Sequence, residues 1–181
     1  MLNNALREIE TMASSIGRET GWRYLGIDTS PAPLTGASIG QAIETLTKVP
    51  FGEPGTLAAC AAITDVLKAI DVKTCGYCGL MLPVLEDPVL ARRATEGRYT
   101  VSELLLYSSV CGTGLDVVPL PGNTPVEDLT AVIADVGALA AKYAKPLSAR
   151  LFPVPGKKAG DMVSFDNPYL TSSVVMPARR S

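Results

Sequence analysis

The stretch "GLDVVPLP", residues 114–121, decides the fold predicted for this chain. Its apolar residues indicate a buried strand, and it lies between two segments that carry helix-start signals. The stretch "LSARLFPVP", residues 147–155, has the same character and follows the second of those helices. A strand, a helix and a second strand in this order predict an α/β unit with parallel strands joined by a right-handed crossover.

Helix-start signals recur along the rest of the chain. Each places a Ser, Thr or Asp that can cap a helix just before residues at helical spacing. The capping residues are Ser38, Thr56, Asp87, Thr100 and Thr124. Ser38, Thr100 and Thr124 have Gln or Glu three residues later, which completes a capping box. Residues 22–27 and 75–84 are predicted as further short strands.

Composition narrows the class of protein. The chain has 181 residues, of which 47% are apolar and 19% charged, with a mean hydropathy of +0.24. This apolar content exceeds that of an average soluble domain and predicts that some apolar surface is covered by a partner. The net charge of −2 provides no basic footprint, so nucleic acid is not an expected partner. Apolar runs such as residues 57–63 are far shorter than the roughly 20 residues of a membrane span.

The N-terminal segment predicts an amphipathic helix within residues 1–20. Its apolar stripe comprises Leu2, Leu6, Ile9, Met12 and Ile16. Glu8 and Glu10 interrupt any signal-peptide core. Four cysteines without a secretory signal fit a reducing compartment, so the expected location is the cytoplasm.

The cysteines have both chemical and structural interpretations. Cys111 precedes Gly112 and Gly114, which allow close approach of a ligand, but packing at a crowded turn is the favoured interpretation. The chain has no histidine, so a Cys111 nucleophile needs a lysine, an arginine or a backbone dipole to stabilise its thiolate. Cys75 and Cys78 form a C-x-x-C pair, for which two small buried residues are the favoured interpretation. A redox pair would need the first thiol at a helix N-terminus, which the following "GLMLPV" does not provide, and a structural zinc site would need two more ligands.

Two aspartates are the candidate acid/base groups. Asp28 follows the strand-like "LGI" and Asp116 lies at the start of "LDVVPL", and open α/β sheets bind ligands at strand ends. With Glu86 and Asp87 they offer oxygen ligands for a magnesium-type ion, although helix capping already accounts for Asp87. The predicted site of Asp28 and Asp116 therefore includes no bound metal ion.

The turn "PVPGKKAGD", residues 153–161, suggests an anion site. Lys157 and Lys158 lie between glycines, and Arg150 on the preceding strand is a third cation. Ammonium groups and free backbone N–H groups favour phosphate or carboxylate, but the stretch lacks the P-loop pattern. The alternative is a solvated turn.

Several motifs together resemble a known family. They are "GIDTSPAP", "FGEPGT", "GLMLPVLED", "VCGTGLDVVPLPG" and "KPLSARLFPVPGKKAGD". The chain resembles the family called domain of unknown function 711, also uncharacterised protein family 0210, over residues 22–176. The resemblance implies one α/β domain over residues 1–181, with a helix at 1–20, the family-like core at 22–176 and a tail at 177–181.

The resemblance also implies an architecture and a partner. Family members are over twice this length and the motifs lie in their C-terminal half, so the chain is expected to be a truncated or split member. The family is similar in fold to pyruvate formate-lyase, and this chain would form a parallel-strand half-barrel with outer helices, half of a ten-stranded barrel. Its open edge would need a complementary N-terminal half chain or a second copy of itself. No glycine follows Gly160, so the radical site of glycyl-radical enzymes is missing.

Two classes of function follow from these features. The first is an enzyme or half-enzyme for a small anionic metabolite, with cofactor unspecified. Its anion would bind Arg150, Lys157 and Lys158, and its catalytic candidates are Asp28, Asp116 and Cys111. The second is a non-catalytic binding or assembly subunit that pairs through the open half-barrel edge. The family motifs mark Asp28, Cys111, Asp116, Arg150, Lys157, Lys158 and Asp161 as positions to test.

Overall fold

A computed structural model of the chain describes residues 2–33 and 36–179 and has α/β architecture. The N-terminal Met1 and the last two tail residues lie outside this range. The helices are α1 (Leu2–Thr20), α2 (Ile39–Thr47), α3 (Thr56–Lys68), α4 (Pro88–Thr95), α5 (Val101–Cys111) and α6 (Val126–Tyr143). The strands are β1 (Gly114–Pro121), β2 (Ser148–Val154), β3 (Met162–Val163) and β4 (Ser173–Val174).

The predicted strand, helix, strand unit is confirmed. Strands β1 and β2 are parallel, and α6 connects them. Gly114 pairs with Ser148 at one end and Pro121 with Val154 at the other. A bulge lies between Leu115 and Val118, so the register shifts once within the sheet.

The two further strands predicted at 22–27 and 75–84 are wrong as regular strands. Each makes one isolated parallel bridge, Ile27 with Thr74 and Pro83 with Asp116. Pro83 has no N–H for a ladder, and Cys78 has a φ of 46°, which interrupts an extended backbone. Near the C-terminus, β4 pairs antiparallel with β3. Within the described residues the parallel strands form no closed barrel.

Three of the five predicted caps have the expected geometry. The Ser38 hydroxyl accepts from the Gln41 N–H at 2.9 Å, Asp87 caps α4, and Thr100 forms the full capping box with Glu103. Thr56 instead begins α3 itself, after Gly55 at the N-cap. The Thr124 box is also wrong, because the Thr124 hydroxyl donates to the Pro121 carbonyl at 2.7 Å and Pro125 occupies the N-cap.

The main core contains residues from each of the helices α2, α3, α4, α5 and α6 and from strand β1. Phe51 is fully buried at its centre and contacts Tyr99 and Tyr107 edge-to-face, with ring centroids 5.1 and 5.3 Å apart. A smaller core contains Leu85 and Val117 together with residues of β3 and the segment that follows β4. These two cores hold β1 almost completely out of solvent.

Helix α1 has a different relation to the rest of the chain. None of its residues is buried, and its apolar stripe is open, with Ile9 50%, Met12 62% and Ile16 56% exposed. Polar contacts tie it to residues 71–73, including an ion pair between Arg7 and Asp71. In the described part of the chain, no helix combines the length and apolar character needed to cross a membrane.

Candidate functional site

The sheet carries a set of three ionised side chains, Glu86, Asp116 and Arg150, here called the charged group. Asp116 lies on β1 and its side chain is 2% exposed, whereas Arg150 lies on β2 and is 46% exposed. The Arg150 Nε donates to the Asp116 Oδ1, and the Arg150 Nη2 lies 3.4 Å from the Glu86 Oε1. The hydrogen bond to Asp116 raises the pKa of Arg150, so the guanidinium is permanently charged.

The β-bulge creates this arrangement. Between the pairs Leu115–Ala149 and Val118–Leu151, two residues of β1 lie opposite the single Arg150 of β2. The extra residue tilts the strand locally and brings the Asp116 side chain beside the guanidinium. Val117 takes a φ of 41°, an uncommon conformation for a β-branched residue.

One oxygen of this group is unsatisfied. The Asp116 Oδ2 is buried and has no hydrogen-bond partner among the described residues. A buried carboxylate oxygen without a donor is costly in free energy. Together with the strained Val117, it makes the charged group a candidate functional site.

The structure places Asp28 in a separate network, away from the charged group. Its carboxylate accepts from the N–H and hydroxyl of Ser30 and from the N–H groups of Tyr77 and Cys78, at 2.7 to 3.0 Å. Partial burial acts to raise the pKa of Asp28, but the hydrogen bonds from Ser30, Cys78 and Tyr77 outweigh it and hold the pKa below its usual range. Asp28 therefore joins two loops as an ionised acceptor, and its acid/base role stays a prediction.

Cys111 lies at the end of α5 and is fully buried. Its Sγ lies 3.3 Å from the Thr113 hydroxyl, which donates to the Leu80 carbonyl at 2.7 Å. The neighbouring Cys60 is also fully buried, and burial, with a smaller effect from Cys111, raises the pKa of Cys60 to about 12. The position of Cys111 favours the packing interpretation, and its nucleophile role stays a prediction.

Thiol labelling of the folded protein is expected to separate the four cysteines into two classes. The interpretation of Cys75 and Cys78 as small buried residues is wrong, because Cys75 is exposed and Cys78 is partly exposed. An aromatic disulfide reagent should therefore modify one or both. Cys60 and Cys111 should react only in denaturant, because both side chains are buried and the reagent cannot reach them in the folded protein. Rapid modification of Cys111 in the native protein, located by peptide mass spectrometry, would contradict this assignment.

The predicted anion residues do not converge. Lys157 and Lys158 lie in the turn after β2, where the Lys158 N–H donates to the Asp161 Oδ2 at 2.7 Å. Arg150 lies four residues before the end of β2 at Val154, about 13 Å along an extended strand. The Arg150 Nε and Nη2 already contact Asp116 and Glu86. A shared site for the three cations is therefore not assembled in the described residues, and an anion at the lysines alone stays a prediction.

The oxygen ligands considered for magnesium do not form one cluster: Glu86 and Asp116 both contact Arg150, whereas Asp28 belongs to the Ser30 network. Asp87 accepts hydrogen bonds from the first residues of both α2 and α4. Within residues 2–33 and 36–179, no group of three or more Cys, Asp or Glu side chains is arranged to hold a metal ion.

Sequence reasoning missed Lys145. Its Nζ donates to the Tyr77 carbonyl, and burial, assisted by the charge of Lys68, lowers the pKa of Lys145. Lys145 shortly precedes β2 and so lies at the same sheet end as the loop around Cys78. Parallel strands of one sheet begin at the same end of that sheet. This rule was the signal that could have placed Lys145 beside the loop around Cys78.

The sequence of this chain is similar to those of an uncharacterised protein family. The profile of the family described as "Uncharacterised ACR (DUF711)" matches residues 1–167. A "UPF0210 protein" of Oleidesulfovibrio alaskensis is 36% identical over 181 residues, covering 94% of this chain and 39% of that protein. A "UPF0210 protein" of Pyrobaculum arsenaticum is 36% identical over 178 residues, covering 95% of this chain and 40% of that protein.

A third relative, a "UPF0210 protein" of Lacticaseibacillus paracasei, is 33% identical over 158 residues, covering 85% of this chain and 35% of that protein. The chain thus spans about two fifths of the length of the curated relatives it matches. These names identify a family and state no activity. With most of the chain matched by the family profile, the protein belongs to the Uncharacterised ACR (DUF711) family.

Proposed function

We propose that this chain is a half-enzyme: it contributes a parallel half-barrel to a larger domain, and a complementary chain segment of the same family covers its open sheet edge. The observation that carries the proposal is the free edge of β2. Strand β2 pairs with β1 on one side, and no strand pairs with its other side within the described residues. Unpaired edge N–H and C=O groups are a template for another strand.

The hydrogen-bonding direction along β2 defines this edge. The Ser148 N–H donates to the Thr113 carbonyl at 2.7 Å, so Ser148 and alternate residues after it face β1. Ala149 and Leu151 consequently point their N–H groups to the open side. Pro153 also faces that side and has no N–H to offer, so an added strand is expected to pair with the first half of β2.

The exposed apolar stripe of α1 supports the proposal that another chain segment covers part of this surface. Met12 and Ile16 are more than half exposed. The sequence as a whole is also rich in apolar residues. Contiguous exposed apolar surface marks interaction sites in soluble proteins. The length of the relatives supports a complementary family segment as the occupant, and a second copy of this chain is the competing outcome.

The proposed chemistry rests on the charged group. In a completed barrel the exposed part of Arg150 would become enclosed, and its remaining guanidinium N–H groups would be available for a small carboxylate or phosphate. Glu86, held at 3.4 Å, is the weaker of the two partners and is the one that an anionic ligand would replace. Asp116, with its free Oδ2, is the acid/base candidate of this site.

The assembly is tested by two substitutions at Ala149. Ala149→Pro removes an N–H from the open edge without removing a bond to β1, whereas Ala149→Val keeps the N–H and favours a strand. Each variant is co-expressed with the remaining sequence of the Oleidesulfovibrio alaskensis relative, and complex formation is measured by size-exclusion chromatography with light scattering. We expect the two chains to form a heteromeric complex, and Ala149→Val should retain it. Ala149→Pro should lower the affinity of the complex at least about tenfold, because an edge hydrogen bond is lost.

Circular dichroism of each Ala149 variant tests whether the isolated chain keeps its fold. Equal complex formation by the two variants would exclude pairing through the β2 edge. A dimer of this chain that persists when the complementary segment is present would show that a second copy occupies the edge instead.

A further inference from the structure

A cleft of about 530 Å³ lies between α1 and the segment that follows it. The chain turns at Gly21, which has a φ of 76°, and residues 22–24 return along the helix. The contact is close at Gly17, where an added Cβ would lie 2.8 Å from the Trp22 carbonyl oxygen. The volume is within the range of about 300–1,000 Å³ typical of small-molecule sites.

The charge of this cleft is opposite to that of the chain. Arg18, Arg23 and Lys73 line it together with one acid, Glu10, so the cleft is positive although the protein has a net charge of −2. Arg18 and Arg23 form neither an ion pair nor a side-chain hydrogen bond with the rest of the described chain. By contrast, the Lys73 Nζ donates to the Tyr24 carbonyl at 2.9 Å. Two arginines with free guanidinium groups beside one cavity are suited to a phosphate or carboxylate.

Aromatic side chains form the other part of the lining. Trp22 is 81% exposed, which is unusual for so large an apolar group. Tyr24 has a buried hydroxyl with no hydrogen-bond partner among the described residues, and the Lys73 Nζ lies 5.6 Å from its ring centroid. An exposed indole provides a surface on which a planar ring can stack.

We propose that this cleft is a binding site for a small phosphorylated ligand with a planar aromatic body, of the mononucleotide class. Arg18 and Arg23 bind the phosphate, and Trp22 stacks on the ring. The site is separate from the charged group on the sheet, and it does not depend on the proposed assembly through β2. Glu10 forms no ion pair with either arginine among the described residues, and its Oε1 accepts from the Lys73 N–H at 2.8 Å.

The single tryptophan of the chain makes the test direct. With excitation at about 295 nm, Trp22 alone emits, and a stacked base quenches indole fluorescence. The full chain is titrated with AMP, adenosine and inorganic phosphate. We expect saturable quenching by AMP, at least about tenfold weaker binding of adenosine, and competition by phosphate without quenching, since both the charge and the ring contribute.

Matched variants assign the contacts. The double variant Arg18→Gln with Arg23→Gln should weaken AMP binding at least about tenfold, whereas Arg98→Gln with Arg179→Gln, which removes two exposed arginines elsewhere, should leave it unchanged. Calorimetry with a Trp22→Phe variant provides a readout independent of fluorescence, and thermal unfolding checks the fold. Absence of saturable AMP binding, equal affinity for AMP and adenosine, or unchanged binding in the Arg18/Arg23 variant would overturn the proposal.

Discussion

Replacing Asp87 by alanine is expected to lower the free energy of unfolding by about 4 kcal/mol, since two helix caps are lost and buried N–H groups are left without acceptors. Asp87 is fully buried. Its Oδ1 accepts from the Val89 and Leu90 N–H groups and from the Ser38 hydroxyl, at 2.7 to 3.0 Å. Its Oδ2 accepts from the Ile39 and Gly40 N–H groups at 2.7 and 3.2 Å. One carboxylate therefore fixes the starts of α2 and α4.

The Asp87 effect is measured by urea unfolding of Asp87→Ala, Asp87→Asn and the control Asp135→Ala. Asp135 is exposed on α6, so its substitution should change stability by less than about 0.5 kcal/mol. Asn keeps one oxygen but turns an amide N–H₂ toward backbone donors, so it should recover only part of the loss. If Asp87→Ala were as stable as the control, the two-helix cap would not hold in solution.

Replacing Arg150 by methionine is expected to cost about 2 kcal/mol of unfolding free energy, because the buried Asp116 carboxylate then has no cation. This value lies below that of a fully buried pair, since the Arg150 side chain is 46% exposed and solvent screens part of the interaction. The second substitution Asp116→Asn, made in the Arg150→Met background, should recover most of the loss because it removes the unpaired charge.

A double-mutant cycle of Arg150→Met and Asp116→Asn measures this coupling. Arg98→Met is the matched control, because Arg98 makes an exposed ion pair with Glu53 at 2.9 Å and should cost less than about 1 kcal/mol. Additive effects of the Arg150 and Asp116 substitutions would mean that the two residues are not energetically coupled. The charged group would then not act as one unit.

Local signals in the sequence predicted much of this fold. The capping roles of Asp87 and Thr100 were predictable because each cap involves residues within three positions of it. Strands β1 and β2 were predictable because α6 between them satisfies the geometry of a parallel crossover. The Thr124 cap failed for an equally local reason, the competing bond from its hydroxyl to the Pro121 carbonyl.

Features that depend on distant residues could not be predicted. Asp87 also caps α2, almost fifty positions earlier, and Lys145 bonds to the Tyr77 carbonyl across 68 positions. The candidate site was predicted in part, because Asp116 and Arg150 were named separately but their pairing depends on the β-bulge. The segment 75–84 resembled a strand by composition, yet a strand also needs a neighbour with compatible backbone, and Cys78 and Pro83 do not provide it.

Amide hydrogen exchange along β2 tests the half-enzyme proposal most directly. The isolated chain and its mixture with the complementary segment of the Oleidesulfovibrio alaskensis relative are compared by mass spectrometry of peptides covering Ser148–Val154. On the half-enzyme proposal, we expect the outward amides of Ala149 and Leu151 to exchange rapidly in the isolated chain and at least about tenfold more slowly in the mixture, while the amides already bonded to β1 change little. Rapid exchange of Ala149 and Leu151 in a fully formed complex would contradict it, because no strand would then cover the open edge of β2.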